Sequence, residues 1–337
     1  MIKLTKLAVG IGTALALSYG ANTFAAIPAI GAIADASLTL SSFRILAGNG
    51  ALGGGTQLNV NGVTVPPGTG NVNVTSNQSF ATVQACVTGG VCAPAVNFVT
   101  PAIGGAININ QASGVGYVPG SLLTGNPAST FAGASSVSNG NALIFPGPGD
   151  TVPVEAQVSL KGANLAGLSS AKQTLNTQFT VILTTTQTFQ LSFQADGFLR
   201  TALGQAGITA DAAYSWNAKV THNNPAGAVV TDMLWTPDGT LGTVGGGSCV
   251  AALTCKEFAD AFSLNQSLNA LSTQDNVQKD TGQFEIELAL NPGTYNFSIS
   301  HLVSADATTP AAIPEPTTLA LLGLGLVGAG VSRRRKS

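Results

Sequence analysis

Residues 284–303 read FEIELALNPGTYNFSISHLV, and this stretch decides the fold class of the chain. On both sides of its centre, apolar side chains alternate with polar ones, as expected of strands with one buried face. The centre is Asn291-Pro292-Gly293-Thr294, in which proline fixes φ and glycine takes the positive-φ position of a turn. The sequence therefore predicts a β-hairpin here, within an antiparallel sheet that has one face in the core.

The same alternation recurs through the second half of the chain. It covers residues 152–160, 179–193 and 214–220, where Val, Leu, Phe, Tyr and Trp fall on alternate positions. Strand patterns without regularly interspersed helices favour an all-β fold, and we predict an antiparallel, jelly-roll-like β-sandwich. Short helices are expected only at residues 198–203 and 256–262.

The chain before residue 151 has a different composition. No Asp, Glu, Lys, Arg or His occurs from Ile45 to Gly149, and Gly, Asn, Ser, Thr, Ala and Val dominate. We therefore separate a charge-free β region, residues 26–150, from a β-sandwich domain, residues 151–308. The first region either adds strands to the same sandwich or forms a small lobe on it. Its hydroxyl- and amide-rich composition suits either a loop-rich β region or a surface that contacts polysaccharide.

The charge of the chain is unevenly distributed. Residues 26–313 contain seven Lys and Arg against fourteen Asp and Glu, a net charge of −7, although the whole chain has a formal net charge of −2. The basic residues at the two ends account for the difference. An acidic body argues against a nucleic-acid partner, because it offers no cationic surface to displace the counterions of the phosphates.

The N-terminus has the three parts of a secretory signal peptide. Two lysines precede an apolar stretch, residues 7–17, and small residues follow it. Thr23 and Ala25 suit the −3 and −1 positions of a cleavage site. We therefore predict a signal peptide that spans residues 1–25 and is cut between Ala25 and Ala26.

A second signal occupies residues 309–337. Pro314-Glu315-Pro316 precedes an uncharged, Leu- and Gly-rich segment, residues 318–331, and a basic cluster made of Arg333, Arg334, Arg335 and Lys336. As a helix, this segment would rise about 21 Å, short of the roughly 20 residues that a full membrane span needs. We predict a short hydrophobic sorting helix that anchors the chain transiently in the membrane. Its basic end would remain on the cytoplasmic side.

This order of triplet, apolar segment and basic cluster resembles the PEP-CTERM sorting signal of Gram-negative bacteria that make exopolysaccharide. The resemblance implies processing by exosortase, a membrane-embedded cysteine transpeptidase that cuts near the triplet. It also implies export through the inner membrane to the envelope, surface or extracellular matrix. The body resembles a group of PEP-CTERM surface proteins in residues 193–200, 215–216, 235–239 and 260–265, which implies class and fold but no catalytic residue.

The four cysteines form two pairs with equal spacing, Cys86 with Cys92 and Cys249 with Cys255. In an exported chain an even number of cysteines indicates disulfides. Among the three possible connectivities we predict pairing within each pair, which would stabilise two local turns by roughly 2 kcal/mol each. A thiolate metal site is the alternative, although five-residue gaps and two scattered histidines suit it less well.

The sequence offers little for catalysis. There is no Gly-x-Ser-x-Gly elbow, and the two histidines, His222 and His301, are expected at a turn and on the inward side of a strand. Glu285 and Glu287 share the outward, solvated side of another strand, where a carboxyl makes a poor general acid. No catalytic residue, cofactor or resident metal is therefore expected.

Two tryptophans and their acidic neighbours are the remaining candidates for binding. Trp216 alternates with core residues and is expected to be buried, whereas Trp235 is expected to be exposed and able to stack on a sugar ring. Asp232 and Asp238 flank Trp235, so an oxygen-lined Ca²⁺ site is conceivable there or near Asp150, although no EF-hand spacing occurs.

Together these features predict an exported, exosortase-processed surface or matrix protein that is not an enzyme. We expect it to associate with exopolysaccharide or biofilm. The alternative is a carbohydrate-binding module that uses Trp235 and the uncharged surface. An extracellular hydrolase is the third hypothesis.

Overall fold

The computed structural model describes residues 31–48, 56–57, 75–87, 96–100, 107–114, 117–119, 121–123, 129–138, 151–161, 167–183, 186–204, 207–242, 244–250, 253–270 and 273–309. These residues form strands and no helix. The strands are β1 (Gly31–Gly48), β2 (Thr56–Gln57), β3 (Thr75–Val87), β4 (Val96–Thr100), β5 (Ile107–Gly114), β6 (Phe131–Ser138), β7 (Thr151–Lys161), β8 (Gly167–Leu183), β9 (Gln187–Leu203), β10 (Thr209–Asn223), β11 (Val229–Trp235), β12 (Ser248–Cys249), β13 (Thr254–Asp260), β14 (Asn265–Ala270), β15 (Asp275–Leu290) and β16 (Gly293–Thr309).

The strands form two antiparallel sheets, so the predicted all-β sandwich is confirmed. The first sheet has the order β13-β15-β9-β1-β7-β6-β5, with β2 beside β1. The second has the order β12-β11-β10-β16-β8-β3-β4, with β14 against the first part of β10. Alternate residues of each strand point into the space between the sheets, as the period of two requires.

Strands from both halves of the chain share these sheets. β1 comes from the N-terminal part of the chain and lies between β7 and β9, and every residue from Gly31 to Leu38 is buried. In the second sheet β3 pairs with β8. The described strands before residue 151 thus join the same sandwich, which is one of the two arrangements expected for the charge-free region.

Aromatic side chains fill one part of the core. The rings of Phe193 and Phe284 stack with centroids 5.1 Å apart, and the rings of Trp216 and Trp235 meet edge-on at 5.3 Å. Phe193 also lies 4.7 Å from Trp216, which joins the two sheets. Such pairs contribute about 0.5–1.5 kcal/mol each beyond the apolar area they bury.

The hairpin predicted at residues 284–303 is wrong, although both of its arms are strands. β15 pairs with β9 and β13 in the first sheet, whereas β16 pairs with β8 and β10 in the second. The connection through Asn291 and Pro292 therefore crosses from one sheet to the other. Two strands of a hairpin in one sheet and two strands in facing sheets bury the same alternate residues. The periodicity of the sequence therefore does not distinguish the two arrangements.

The two short helices are also wrong. Residues 198–203 lie within β9, and residues 256–260 lie within β13. Phe198 lies on the outer face of the sheet, and this face is covered there as well as the inner one. The Lys279 ammonium lies 5.4 Å from the centre of the Phe198 ring. When neighbouring residues are buried on opposite faces, consecutive apolar residues resemble a helical pattern.

Candidate functional site

The outer face of the first sheet has two polar regions, both built on β1, β9 and β15. The first lies beneath a segment that we call the strap, residues 117–119 and 121–123. The strap follows β5 and precedes β6 in the chain, and it crosses the outer face of the sheet. The second is an open cleft beside an irregularity in β1. The two regions contain similar side chains, but the strap covers the first region and the second is open.

Asp35 binds the strap from below and is fully buried. Its Oδ2 atom accepts hydrogen bonds from the Leu123 amide at 2.7 Å and from Gln157 Nε2 at 3.3 Å. Gln157 Nε2 also donates to the Ser121 carbonyl at 2.5 Å. Burial raises the pKa of Asp35 to about 7, opposed by these hydrogen bonds and by the positive charge of Arg200. The carboxyl therefore binds main chain where water would otherwise solvate it.

Arg200 is the second anchor of the strap, with 1% of its surface exposed. Its Nε atom donates to Asp275 Oδ1 at 3.0 Å and Nη2 donates to Asp275 Oδ2 at 2.9 Å. The Nη1 atom donates to the Leu123 carbonyl. The planar guanidinium thus joins β9, β15 and the strap, a geometry that lysine cannot reproduce.

Tyr117 closes the strap over β6. Its ring lies 6.1 Å from the ring of Phe131 and directly over Gly133. A Cβ atom at position 133 would come within 2.2 Å of the tyrosine ring, so only glycine leaves room for it. Burial is the main cause that raises the pKa of Tyr117 above its usual range.

The open region begins at a β-bulge in β1. Ser41 lies opposite Gln194 and Arg44 lies opposite Ser192, so the register between β1 and β9 shifts here. Ser42, within the bulge, has a φ of 54°, in the left-handed region that residues other than glycine rarely adopt. Bulges bend a strand and are frequent beside binding sites. Here the bulge borders a cleft of about 230 Å³.

Polar side chains from three strands line this cleft. On its floor Gln194 of β9 lies opposite Gln283 of β15, and Ser192 lies opposite Glu285. Ser42 contributes a hydroxyl from the bulge. Gln190 Nε2 donates to Glu285 Oε1 at 2.7 Å, which fixes the carboxylate at one end. We define the polar cleft as the site formed by Ser42, Ser192, Gln194, Gln283 and Glu285.

Both glutamates of β15 lie where the sequence pattern predicts. Glu285 and Glu287 are half-buried on the outward side of the strand, opposite Phe284 and Ile286, which are buried in the core. Glu285 lines the polar cleft, whereas Glu287 lies opposite Gln190 in the sheet register.

The expectation that Trp235 is exposed is wrong, and so is its suggested contact with a ligand. Its side chain is 0% exposed, and its Nε1 atom donates to Glu257 Oε1 at 2.6 Å. The other carboxyl oxygen, Glu257 Oε2, accepts a hydrogen bond from the Gly242 amide at 2.8 Å. The loop after β11 therefore folds back over the indole. Trp216 is also fully buried, as predicted.

The acidic residues around Trp235 hold this loop and do not converge on a common point. Asp260 Oδ2 accepts the amides of Asp238 and Gly239 at 3.0 and 3.1 Å. Asp232 instead lies 2.7 Å from His222 Nδ1. Within the described part of the chain, no group of three or more His, Cys, Asp or Glu could hold a metal ion. The conceivable calcium site near Asp150 lies outside that part.

His301 points into the core, as predicted, and is fully buried. Burial lowers its pKa to about 3, and the neighbouring Leu38 backbone opposes this only in part. His222 lies at the end of β10, just before the turn at residues 224–227, in agreement with the sequence, and pairs with Asp232.

The predicted disulfide between Cys249 and Cys255 is confirmed, with an S–S distance of 2.06 Å and 6.3 Å between the Cα atoms. It links β12 of the second sheet to β13 of the first. It therefore connects the two sheets at one edge in addition to closing a local turn. The side chains of Cys86 and Cys92 lie outside the described residues, and their pairing stays a prediction.

The processing signals also lie outside the described residues. This applies to the predicted signal cleavage between Ala25 and Ala26, to the triplet at 314–316, and to the basic cluster at 333–336. Among the residues that are described, no helix is both long and apolar enough to cross a membrane.

The comparisons with known proteins concern the C-terminal segment. A family model, described as the PEP-CTERM protein-sorting motif, matches residues 312–336. This match includes the triplet and the basic cluster predicted from the sequence. No curated protein and no solved structure matches the chain.

The motif at residues 312–336 indicates an exported protein of the cell envelope. The chain carries a PEP-CTERM sorting motif, and it is an exosortase-sorted protein that is exported to the cell envelope or surface.

Sequence reasoning missed the buried anchors of the strap and of the Trp235 loop. Asp35 interrupts an alanine-rich strand, and Arg200 is one of only seven Lys and Arg residues between positions 26 and 313. A carboxylate and a guanidinium inside strand patterns require partners, because an unpaired buried charge is very costly. A charged residue within a strand pattern is therefore a signal that the sequence contains. It does not reveal that the strap is the partner of Asp35 and Arg200, because the strap is distant along the chain.

Proposed function

We propose that this protein is a non-enzymatic component of the exopolysaccharide or biofilm matrix outside the cell. The sorting motif delivers it to the envelope or surface. There the β-sandwich acts by adhesion and not by catalysis. The disulfide between Cys249 and Cys255 suits an oxidising extracellular setting.

One observation carries the non-enzymatic part of this proposal. Three of the buried carboxyls, those of Asp35, Glu257 and Asp260, each accept hydrogen bonds from main-chain amides of loops. Carboxyls committed in this way organise the structure, and none of the three lines the polar cleft, where a proton could be transferred to a substrate. The extracellular hydrolase is therefore not the function we propose.

The first test concerns delivery and uses a truncated chain. Removing residues 312–337 should retain the protein in the cell, whereas substitution of Lys219 by alanine on the outer face of the second sheet should leave delivery unchanged. Fractionation into cytoplasm, membranes, surface and medium measures the result. Unchanged surface delivery of the truncated chain would contradict the role of the tail.

The second test concerns association with the matrix. An unrelated secreted reporter carrying residues 309–337 should reach the surface, but only the complete protein should co-purify with extracted exopolysaccharide. Equal co-purification of reporter and protein would show that the β-sandwich contributes nothing. That outcome would refute the matrix proposal while leaving the sorting mechanism intact.

A further inference from the structure

We propose that the polar cleft binds the hydroxyl groups of a neutral glycan, with room for about one sugar ring of a longer chain. The inference rests on the proposed function and specifies the site that contacts the matrix. It replaces Trp235, whose burial removes it from consideration, with side chains on the outer face of the first sheet.

The lining of the cleft has hydrogen-bonding groups that match those of a sugar ring. Gln194 and Gln283 each present an amide that both donates and accepts, and Ser42 and Ser192 present hydroxyls with the same two capacities. Glu285 adds a carboxylate that only accepts. A sugar ring carries adjacent hydroxyls that also donate and accept. Such a set of side chains satisfies these hydroxyls without an ionic partner.

The polar groups of the cleft are accessible to a ligand. Ser42, Gln194 and Gln283 are exposed, and Ser192 and Glu285 are half-buried. Within the described residues, neither Gln194 nor Gln283 has its amide engaged in a side-chain hydrogen bond. In contrast, Gln157 beneath the strap already donates to main chain and to Asp35. The cleft therefore presents hydrogen-bonding groups that a ligand can reach.

The shape of the cleft also suits a glycan. The bulge in β1 moves that strand away from the regular pleat, and Ser42 is held there at positive φ. Strained backbone of this kind often occurs at ligand sites. The volume of about 230 Å³ is below the roughly 300–1,000 Å³ of pockets that enclose whole small molecules. An open cleft of this size suits one unit of a polymer that continues along the surface.

Charge decides between neutral and acidic glycans. Among the described side chains that line the cleft, Glu285 is a carboxylate and none is basic. Residues 26–313 have a net charge of −7, so an anionic polymer would be repelled at long range as well as in the cleft. The chemistry therefore favours a neutral polysaccharide over one that carries uronate or sulfate groups.

The experiment uses the full-length chain purified in detergent and exopolysaccharide extracted from the producing cells, separated into neutral and acidic fractions. Binding is measured by biolayer interferometry with each fraction immobilised. We expect the wild-type chain to bind the neutral fraction. The double variant Gln194→Ala with Gln283→Ala should weaken that binding about tenfold or more, because two hydrogen-bonding amides are lost.

A matched control keeps the result interpretable. Asn217 and Ser300 form a polar cross-strand pair on the outer face of the second sheet, and Asn217→Ala with Ser300→Ala should change binding by less than about twofold. A single Ser192→Ala variant, which removes one oxygen and adds no bulk, provides a second test and should also weaken binding. Thermal unfolding of every variant verifies that the sandwich is intact.

Several outcomes would overturn the inference. These are no binding of the wild-type chain to the neutral fraction, equal binding by the cleft variants, or a loss that is as large in the control pair. Failure of the matrix proposal gives a different result. In that case reporter and complete protein co-purify equally with exopolysaccharide, whatever the affinity of the cleft.

Discussion

The strap and the polar cleft make an instructive comparison, because both lie on the outer face of one sheet and share strands β1, β9 and β15. Under the strap, Asp35 accepts a hydrogen bond from a main-chain amide and Gln157 donates one to a main-chain carbonyl. Asp35 is fully buried. At the cleft, Gln194 and Gln283 face outward and are exposed. Polar residues on a sheet face therefore have two uses, and the chain that crosses above them decides which.

The energetic consequences also differ. Polar groups beneath the strap have lost their water and depend on each other, so removing one partner leaves another unsatisfied in a medium of low dielectric. Polar groups in the cleft exchange their partners with solvent. Substitutions beneath the strap should therefore affect stability strongly, whereas substitutions in the cleft should affect binding and barely affect stability.

The largest effect is expected from Arg200→Leu. This change leaves the Asp275 carboxylate and the Leu123 carbonyl without the guanidinium that joins them. Breaking a buried ion pair by removing one partner costs about 3–5 kcal/mol. Urea denaturation should show a loss of that size in the free energy of unfolding.

The control for this change is Lys219→Leu, on the half-exposed outer face of the second sheet, which should stay within about 0.5 kcal/mol of wild type. A loss below about 1 kcal/mol for Arg200→Leu would mean that the strap is not held in this way.

A pH-dependent effect of about 4 kcal/mol should follow from Asp35. Its pKa of about 7 lies above the 3.8 of an ordinary aspartate, so the folded chain keeps a proton that the unfolded chain releases. This stabilisation is complete below about pH 4 and is lost as the pH rises to 7. As the pH rises from 4 to 7, the free energy of unfolding of Asp35→Asn should therefore increase relative to that of wild type. Above pH 7 the difference between the two proteins should stay constant.

His301→Leu provides the opposite slope for comparison. The pKa of His301 is about 3, below the ordinary 6.5. The contribution of this histidine to the free energy of unfolding is therefore complete above pH 6.5 and is lost as the pH falls towards 3. Urea denaturation at a series of pH values measures both variants. A difference between Asp35→Asn and wild type that does not change with pH would contradict the assignment.

An intermediate effect is expected from Gly133→Ala. The added methyl group would overlap the Tyr117 ring, which must move and loosen the strap, at a cost of about 1–3 kcal/mol. Limited proteolysis should then cut near the exposed Val118 and Leu122 faster than in wild type. Gly242→Ala is the control, since the nearest atom there is 3.6 Å from the point that an added Cβ would occupy. Equal cleavage rates in all three proteins would count against the packing of Tyr117.

The smallest effect belongs to the cleft. Ser42→Gly removes the strain of a positive φ and should stabilise the chain by less than about 1 kcal/mol, because glycine also gains freedom in the unfolded state. Ser298→Gly, in the middle of β16, should destabilise by about 0.5–1 kcal/mol. Thermal unfolding compares the two, and a loss of stability in Ser42→Gly would show that the bulge depends on the serine side chain.

Much of the fold can be predicted from the sequence. Alternation at residues 152–160 and 214–220 marks true strands, and the inward side of each is correct, including Trp216 on β10. The spacing of Cys249 and Cys255 predicts a disulfide that exists. These features depend on neighbours within a few residues, where strand geometry and short loops leave few alternatives.

The candidate site is less accessible to prediction. The pattern places Glu285 correctly on the outward side of β15, but the cleft also needs Ser42, which lies more than 200 residues away. The local sequence of Trp235 resembles a turn, which favours a place on the surface. Glu257 and the loop after β11 cover it instead, and that contact depends on how β11 and β13 are brought together.

The sequence by itself determined the C-terminal sorting motif, the β class of the chain and the inward side of the strands that show alternation. Only the tertiary structure decided that β15 and β16 join different sheets, that Trp235 is covered and that the strap seals one polar region while another remains open. The physical reason is that a period of two specifies a buried face but not the neighbour that buries it. Backbone hydrogen bonds pair any strand with any other, so the choice of partner depends on packing across the whole sandwich.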